Sequence, residues 1–400
     1  MRQIPVKNRL AFVCSGGAVK AGAFHLGVAL ALQERGFGFQ GGLKGQQSTP
    51  YNPHRDIQVY VGSSAGALIT SFLAAGYPLE SIFASFLKKA PPENLPSFPR
   101  LTYQTIFKLA AKPQVSSLAE LKLLKNFVSS ITDGNLQSLL RLRWIKMNGL
   151  FNTSGIEQYL REEVLPTNQF NALEADLFTV ATQLDGSHKV VFGKYALEPP
   201  PHDPSCTYSN TTTISNAVAA STALPPVFAP HAIEDEHGES TWYFDGEIRD
   251  TLSTHVAVDA GADLIFASYT HQPYHYDPKV GSLSSKGLPS IILQALFLLI
   301  EQKIKNGIFQ KEKESRAIEK VEEYLETSKI AEPHRSQILS ILERELHHKR
   351  NVDIVYIHPN PNDHRMFFKE NFSLSPHRMQ EIVRSGYRSA MSTLSELTFE

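Results

Sequence analysis

Cysteine is scarce in this sequence: its 400 residues include only Cys14 and Cys206. Two cysteines are too few for a disulfide framework, and neither lies in a CxxC or metal-ligand spacing. Cys14 lies in an apolar run, where a buried free thiol is expected. The sequence therefore predicts a reducing compartment and an ordinary hydrophobic core, with a secreted protein that is poor in thiols as the alternative.

Neither sign of charge dominates the chain, whose formal net charge is −1 at pH 7. This balance argues against polyanion binding by the whole molecule, and we expect no nucleic-acid partner. Between residues 88 and 146, however, ten Lys or Arg stand against three Asp or Glu. Such a segment favours anionic lipid headgroups, and a solvated helical face is the plainer alternative.

Long hydrophobic runs are absent as well. Residues 1–9 are polar and contain no signal-type apolar region, which favours a cytoplasmic location and leaves export without a signal open. The longest apolar run, residues 288–300, contains Pro289, Ser290 and Gln294 and is too short to span a bilayer. We expect this run to form a buried helix, with a helix on a membrane surface as the alternative.

Apolar runs and helical patterns alternate along most of the chain, which predicts an α/β fold with a mostly parallel central sheet. The first part predicts two strand–turn–helix units, with strands at Leu10–Cys14 and 57–61 and helices at 22–35 and 65–75. Further strands are predicted at 177–182, 190–192, 242–244, 264–269 and 352–357, and helices at 216–222 and 254–260. A last helix is predicted to begin at Ser375 and Pro376.

The sequence Gly62-Ser63-Ser64-Ala65-Gly66 is a GxSxG motif between a predicted strand and a predicted helix. A tight turn in this position exposes the serine hydroxyl and leaves no room for side chains at the flanking glycines. The following helix adds amides and a positive dipole end. Ser64 is therefore the candidate nucleophile, and a glycine-lined packing turn is the alternative.

A nucleophilic serine needs an oxyanion hole and a base. The glycine-rich turn at residues 15–22 can offer backbone amides, and it lacks the GxGxxG and P-loop patterns of nucleotide sites. The base is harder to identify from the residues alone. His25, His255 and His271 are expected to satisfy local hydrogen bonds, and the Asp245-Gly246 step after an aromatic strand is commonly just a turn.

These motifs, in this order, resemble the patatin-like phospholipases: a glycine-rich oxyanion loop followed by a basic residue, a GxSxG turn and a late Asp-Gly step. Residues 149–153, 181–185 and 219–228 are similar to recurrent segments of that family. The resemblance covers about residues 8–270 and the last strand and helix. It implies a three-layer α/β/α patatin-like fold with a mostly parallel central sheet and helical insertions.

The resemblance also implies a Ser64–Asp245 dyad, with Ser64 as nucleophile and Asp245 as general base and acid. Gly16, Gly17 and Ala18 would form the oxyanion hole. The supporting residues would be Lys20, Gly62, Gly66 and Gly246. No metal and no cofactor are implied. The substrate would be a phospholipid, a lysophospholipid or another acyl ester, met at a membrane surface, and the oligomeric state is left open.

Two positions depart from the family pattern. Ala18 replaces the third glycine of the loop, where its methyl group either narrows the hole or is harmless if the φ angle is negative. Glu247 replaces the small residue that usually follows the Asp-Gly step. They support an alternative in which the protein is a catalytically silent lipid-binding module. A second alternative is an esterase or triacylglycerol lipase with a Ser-Asp-His triad that uses His255, His271 or His275.

The expected organisation is a single patatin-like domain over residues 1–400. Its core comprises about 8–76, 150–275 and 351–398. A helical insertion or lid would lie at about 80–148. Residues 301–350 carry eleven Lys or Arg and ten Asp or Glu, which predicts a charged helical arm at about 285–350, a hairpin broken at Pro333.

Overall fold

A computed structural model describes the chain in several ranges. These are residues 2–46, 51–87, 89, 92–110, 149–195, 197, 203, 205–346, 348–360, 363, 365–368 and 372–400. Most of the expected insertion at about 80–148 lies outside the described residues.

The described residues form strands and helices along their whole length. In chain order the strands are β1 Arg2–Ile4, β2 Leu10–Cys14, β3 Gly38–Phe39, β4 Asp56–Ser63, β5 Lys108–Leu109, β6 Phe151–Asn152, β7 Asp176–Gln183, β8 Lys189–Gly193, β9 Cys206–Ser209, β10 His231–Glu234, β11 Ser240–Asp245, β12 Leu264–Ser268, β13 Asp353–Ile357 and β14 Leu397–Phe399. The helices are α1 Ala18–Glu34, α2 Ala65–Ala74, α3 Leu79–Leu87, α4 Tyr103–Ile106, α5 Ser154–Tyr159, α6 Ile214–Ser221, α7 Thr254–Asp259, α8 Leu288–Thr327, α9 Glu332–Leu346, α10 Arg365–Phe368 and α11 Pro376–Ser395.

One large sheet organises the molecule, with strand order β10-β11-β7-β4-β2-β12-β13 along its main path. The centre is parallel, because β7, β4, β2, β12 and β13 pair in parallel with their neighbours along the path. The β10–β11 hairpin joins β7 in antiparallel fashion at one edge. The expected mostly parallel central sheet is confirmed.

Both faces of this sheet are buried, as expected for parallel strands between two helical layers. In β2, Leu10 and Phe12 belong to a core cluster shared with α1, α2 and α11, whereas Ala11 and Val13 belong to a second cluster shared with α7. Alternate side chains of one strand point to opposite faces, so a continuous apolar run serves two cores. The three-layer α/β/α architecture follows from this arrangement.

The predicted elements agree with the structure in type and differ at some ends. Helix α1 begins at Ala18 rather than at residue 22, because the chain turns at Gly17, whose φ is 127°. The loop between β2 and α1 is therefore three residues long, and Lys20 lies on the first turn of the helix. Helix α2 begins at Ala65 as predicted.

The charged arm forms a helical hairpin of α8 and α9, and the break lies at residues 328–331, just before Pro333. The expectation that residues 288–300 form a buried helix is wrong. They open α8, but within 290–300, where the burial is described, only Phe297 and Ile300 are buried, and five large aliphatic side chains are 45–60% exposed. A helix that packs by one face leaves the other uncovered, and this run is apolar on both faces. Among the described helices, none is long and apolar enough to cross a membrane.

Candidate active site

Ser64 occupies the turn between β4 and α2 in a strained backbone conformation, with φ 52° and ψ −123°. Positive φ values are rare for residues with a side chain and cluster at functional sites. The GxSxG turn is therefore formed as the motif predicts. Its helix start directs backbone amides toward the same region.

Gly62 and Gly66 allow this turn to pack against its neighbours. A Cβ atom on Gly62 would lie 2.4 Å from the Cα of Ala67, and one on Gly66 would lie 2.2 Å from the carbonyl oxygen of Cys14. Both distances are too short for any side chain, so glycine is required for steric reasons. Gly246 is confined in the same way by the carbonyl oxygen of Val180, at 2.3 Å.

Asp245 is the last residue of β11 and is brought to Ser64 by the sheet. Strand β7 lies between β11 and β4, so the end of β11 lies beside the turn that follows β4. The Ser64 side chain lies beside the Asp245 carboxyl group, where it favours the ionised form. The Asp245 amide donates to the carbonyl of Ala223 at 3.1 Å, and Thr182 Oγ1 donates to the Asp245 carbonyl at 3.2 Å. The two residues of the expected dyad are thus neighbours in the structure, and their catalytic roles remain a prediction.

The carboxyl group of Asp245 is 1% exposed, and this burial raises its pKa to about 7. The neighbouring Ser64 side chain and a hydrogen bond from the Glu247 amide, 2.9 Å from Oδ1, oppose the shift. Burial disfavours a carboxylate that has no cationic partner. A carboxyl group that titrates near neutral pH is suited to accepting and returning a proton there.

The three oxyanion candidates differ in their surroundings. The Gly16 amide donates to Glu247 Oε1 at 2.6 Å, so this amide already has an acceptor. Gly17 and Ala18 stand at the start of α1, where the first amides of a helix have no acceptor in the helix itself. The φ angle of Ala18 is 57°. A negative φ was the condition for a harmless methyl group at this position, and the structure does not meet it.

Lys20 is buried on the first turn of α1, and its Nζ donates to the carbonyl of Met366 at 3.2 Å. The same ammonium group lies 5.4 Å from the centre of the Phe297 ring. Lys20 therefore ties the start of α1 to the C-terminal part of the chain and to α8.

The histidines are placed around the site in different ways. His25 is buried, with Nδ1 2.7 Å from Ser268 Oγ and Nε2 2.8 Å from the Ser15 carbonyl, as expected for a local structural role. Burial lowers the pKa of His255 to about 4 and that of His271 to about 3. His255 lies 3.5 Å from Asp250, His271 lies 3.8 Å from Glu247, and His275 is exposed. None of these four histidine rings is hydrogen-bonded to Ser64 in the described part of the chain.

Sequence reasoning missed Ser221, which braces the GxSxG turn. Its hydroxyl accepts a hydrogen bond from the Ser64 amide at 2.8 Å and donates to the Val180 carbonyl at 2.6 Å. Ser221 falls in residues 219–228, a stretch already similar to the family. That similarity was the available signal, although it assigned no role.

An apolar pocket opens beside Ser64. Ser64 and Ala18 lie on its wall, and most other lining side chains are aliphatic or aromatic. They include Val19, Leu68, Phe72, Phe98, Leu224 and Phe228. Such a pocket suits a hydrocarbon chain. Within the described part of the chain, no group of three His, Cys, Asp or Glu side chains is arranged to hold a metal ion.

Comparisons with known proteins identify the family of this chain. The chain matches no curated protein in sequence. Among solved structures it is similar to the crystal structure of VipD from Legionella pneumophila, with 15% identity, a TM-score of 0.36 and coverage of 98% of this chain and 67% of that one. The sequence model of the patatin-like phospholipases matches residues 12–258. Because this segment is more than half of the chain, the chain belongs to the patatin-like phospholipase family.

Proposed function

We propose that this protein hydrolyses the carboxylic ester bonds of phospholipids or lysophospholipids through a Ser64–Asp245 dyad and an acyl-enzyme. Membership of the family supports lipid acyl hydrolase activity in general. The observation that carries the specific proposal is the position of the Ser64 side chain beside the buried Asp245 carboxyl group, on the wall of an apolar pocket.

In the first half-reaction, Ser64 Oγ attacks the acyl carbonyl carbon while ionised Asp245 takes the hydroxyl proton. The carbonyl oxygen becomes an oxyanion, which the amides of Gly17 and Ala18 stabilise at the start of α1. Collapse of this intermediate breaks the ester bond, and Asp245 returns the proton to the leaving alcohol. The acyl group then remains on Ser64 as an ester.

In the second half-reaction, water attacks the Ser64 ester and gives a proton to Asp245. The second oxyanion collapses, the fatty acid leaves, and the proton returns to Ser64 Oγ. One carboxyl group thus serves as base and acid in turn. A carboxyl pKa of about 7 keeps a substantial fraction of Asp245 ionised near neutral pH.

The pocket supports a long acyl chain as the group transferred to Ser64. Its wall runs from Ser64 and Leu68 to Phe72 and Phe98. Burial of a methylene group contributes about 0.8 kcal/mol. Several methylenes of a fatty acyl chain would therefore contribute strongly to substrate binding.

We further propose that the exposed face of α8 rests on the lipid surface. Ile291, Ile292, Leu296, Leu298 and Leu299 are 45–60% exposed within about two turns of helix. Residues 278–300 contain two lysines and no acidic residue, which suits an anionic bilayer surface. On the packed side of this helix, the Phe297 ring lies 5.5 Å from that of His271, near the start of α1.

The test is fatty-acid release from mixed phospholipid, lysophospholipid and triacylglycerol substrates, followed by mass spectrometry. Ser64→Ala and Asp245→Asn should each abolish release while the protein stays folded. The exposed Ser395→Ala variant provides a matched control with normal activity. Release that persists in Ser64→Ala at the control rate would refute the proposal.

The same assay separates the dyad from a triad. Alanine variants of His255, His271 and His275 should each retain far more activity than Asp245→Asn. A histidine variant as inactive as Asp245→Asn would establish the triad and overturn the dyad. Release from triacylglycerol alone would retain the dyad and correct the substrate class.

A further inference from the structure

Glu247 lies at the junction of the two halves of the candidate site. Its side-chain Oε1 accepts the Gly16 amide at 2.6 Å, and its own amide donates to Asp245 Oδ1 at 2.9 Å. One residue therefore connects the oxyanion loop to the general base. The contact is close, since a Cβ atom on Gly16 would lie 2.4 Å from Glu247 Cγ and 2.8 Å from Ser64 Cβ.

The surroundings of Glu247 do not stabilise a charge. The side chain is 8% exposed, and Oε2 has no hydrogen-bond partner at normal distance among the described residues. Its polar neighbours there are Ser63 and His271, and the nearer His271 nitrogen lies 3.8 Å away. Burial lowers the pKa of His271 to about 3, so that ring is neutral. An ionised carboxylate with one amide donor and no cation is unfavourable in a buried position.

Other ionisable groups reach this region from several elements. They are Asp245 on β11, Asp250 after the Asp-Gly turn, His271 after β12, and Lys20 and His25 on α1. Burial and then the charge of Asp245 raise the pKa of Glu247 well above its usual range. The direction of this shift favours the neutral form of Glu247.

Glu247 does not block the acyl pocket. Ser64, Ala18 and Val19 line that cavity, whereas neither Gly16 nor Glu247 is among the described residues on its wall. The Gly16 amide is therefore bound by a residue that is not on the described wall of the pocket. This leaves the amides of Gly17 and Ala18 for the oxyanion.

We infer that Glu247 is a positioning residue whose neutral carboxyl group fixes the oxyanion loop to the base by accepting the Gly16 amide. This inference rests on the proposed function, because the loop and the base have roles only in that reaction. It explains why a side chain as large as glutamate stands where the family usually has a small residue. The Gly16 amide would otherwise be buried without an acceptor.

The test compares Glu247→Ala and Glu247→Gln with the control Glu239→Ala. This control removes an exposed carboxyl group from the same part of the chain. Loss of one buried acceptor predicts a drop of about tenfold in kcat for Glu247→Ala, with KM nearly unchanged because the pocket is intact. Glutamine can still accept the amide through its side-chain oxygen. Glu247→Gln should therefore recover most of the lost kcat, and Glu239→Ala should match the unmodified protein.

The pH profile tests the charge state. A neutral Glu247 predicts that the acid limb of kcat/KM, near pH 7, stays in place in Glu247→Gln. If Glu247 were ionised, its removal would lower the pKa of Asp245 and move the limb to lower pH, which would overturn the neutral assignment. A rise in kcat in Glu247→Ala would show an inhibitory contact and overturn the positioning role.

Folding and the reaction itself are controlled separately. Thermal unfolding of each variant shows whether Glu247→Ala is still folded. If Glu247→Ala does not fold, the kcat and pH profile of Glu247→Gln test the inference. An inactive Ser64→Ala variant together with a fully active Glu247→Ala variant would refute this inference alone. An active Ser64→Ala variant would refute the proposed function.

Discussion

The hydroxyl of Ser221 accepts a hydrogen bond from the amide of Ser64 at 2.8 Å and donates one to the Val180 carbonyl at 2.6 Å. A side chain from α6 thereby ties the GxSxG turn to β7. This brace matters because Ser64 has a φ of 52°, which its surroundings must hold in place.

Replacement of Ser221 by alanine should therefore impair both stability and turnover. The change leaves the Ser64 amide without its acceptor and removes the hydrogen bond that the Val180 carbonyl accepts. An unsatisfied buried group costs about 1–3 kcal/mol. Urea unfolding and kcat measure the two effects, with Ser395→Ala on the surface of α11 as the control. Unchanged values for both would show that the brace is dispensable.

Ala18 is expected to be a source of backbone strain. Its φ is 57°, and this left-handed region costs a residue with a Cβ roughly 1–2 kcal/mol. Ala18→Gly should therefore stabilise the fold, by an amount reduced through the greater freedom of glycine in the unfolded chain.

Thermal unfolding checks this expectation, and Ala31→Gly inside α1, near its C-terminal end, provides the contrast. Glycine in a helix interior costs about 1 kcal/mol, so that control should lower the midpoint. A lower midpoint for Ala18→Gly as well would contradict the assignment of strain at this position.

Asp245 should make the fold less stable as the pH rises from about 4 to 7. Its pKa is about 7 in the folded protein and near 3.8 in the unfolded chain. Between these values the unfolded chain releases a proton that the folded protein retains, so unfolding becomes easier with rising pH. Above about pH 7 the effect is complete.

Asparagine cannot titrate, so Asp245→Asn should lack this contribution. The variant should gain stability relative to the unmodified protein across that pH range. The gain should reach roughly 4 kcal/mol, from about three pKa units at 1.36 kcal/mol each. Urea unfolding from pH 4 to 8 measures it, with Ser64→Ala expected to retain a pH dependence. A constant difference between the Asp245→Asn and unmodified curves would mean that the carboxyl group is ionised throughout.

The face of α8 should govern binding to vesicles. Glutamate at Leu296 and Leu299, which are 50% and 60% exposed, places charge on the face without disturbing a buried contact. The loss of two apolar contacts predicts at least about tenfold weaker binding to anionic phospholipid vesicles. Hydrolysis of vesicle lipid should fall more than hydrolysis of a water-soluble ester.

Ile341→Glu on α9, at a residue that is 41% exposed, is the matched control and should bind vesicles normally. Normal vesicle binding by the Leu296→Glu, Leu299→Glu variant would show that α8 does not contact the lipid surface. If that variant instead dissociated from a dimer to a monomer, the face would be a contact between copies of the chain.

Local sequence patterns predicted the scaffold of the site well. Apolar runs located β2 and β4, and the GxSxG motif located the turn at Ser64, because these features depend on neighbouring residues. Asp245 could be assigned only through the family resemblance, since an Asp-Gly step has the same local appearance in an ordinary turn. Its approach to Ser64 depends on the order of strands β11, β7 and β4, which no local pattern contains.

Other features required tertiary contacts. The contact between Glu247 and Gly16 joins distant parts of the chain, and the sequence marked Glu247 only as unusual. The run at 288–300 has the same composition whether it is buried or exposed, so its packing was predicted wrongly. The positive φ of Ala18 also depends on the tight turn at Gly17 and could not be read from an alanine.

The most direct test of the account is to locate the reactive serine chemically. The protein is treated with a fluorophosphonate, digested, and analysed by peptide mass spectrometry, with Asp245→Asn treated in parallel. The proposed dyad predicts one labelled residue, Ser64, and much slower labelling in Asp245→Asn. Labelling at another serine, or no labelling of a preparation that releases fatty acid, would contradict it.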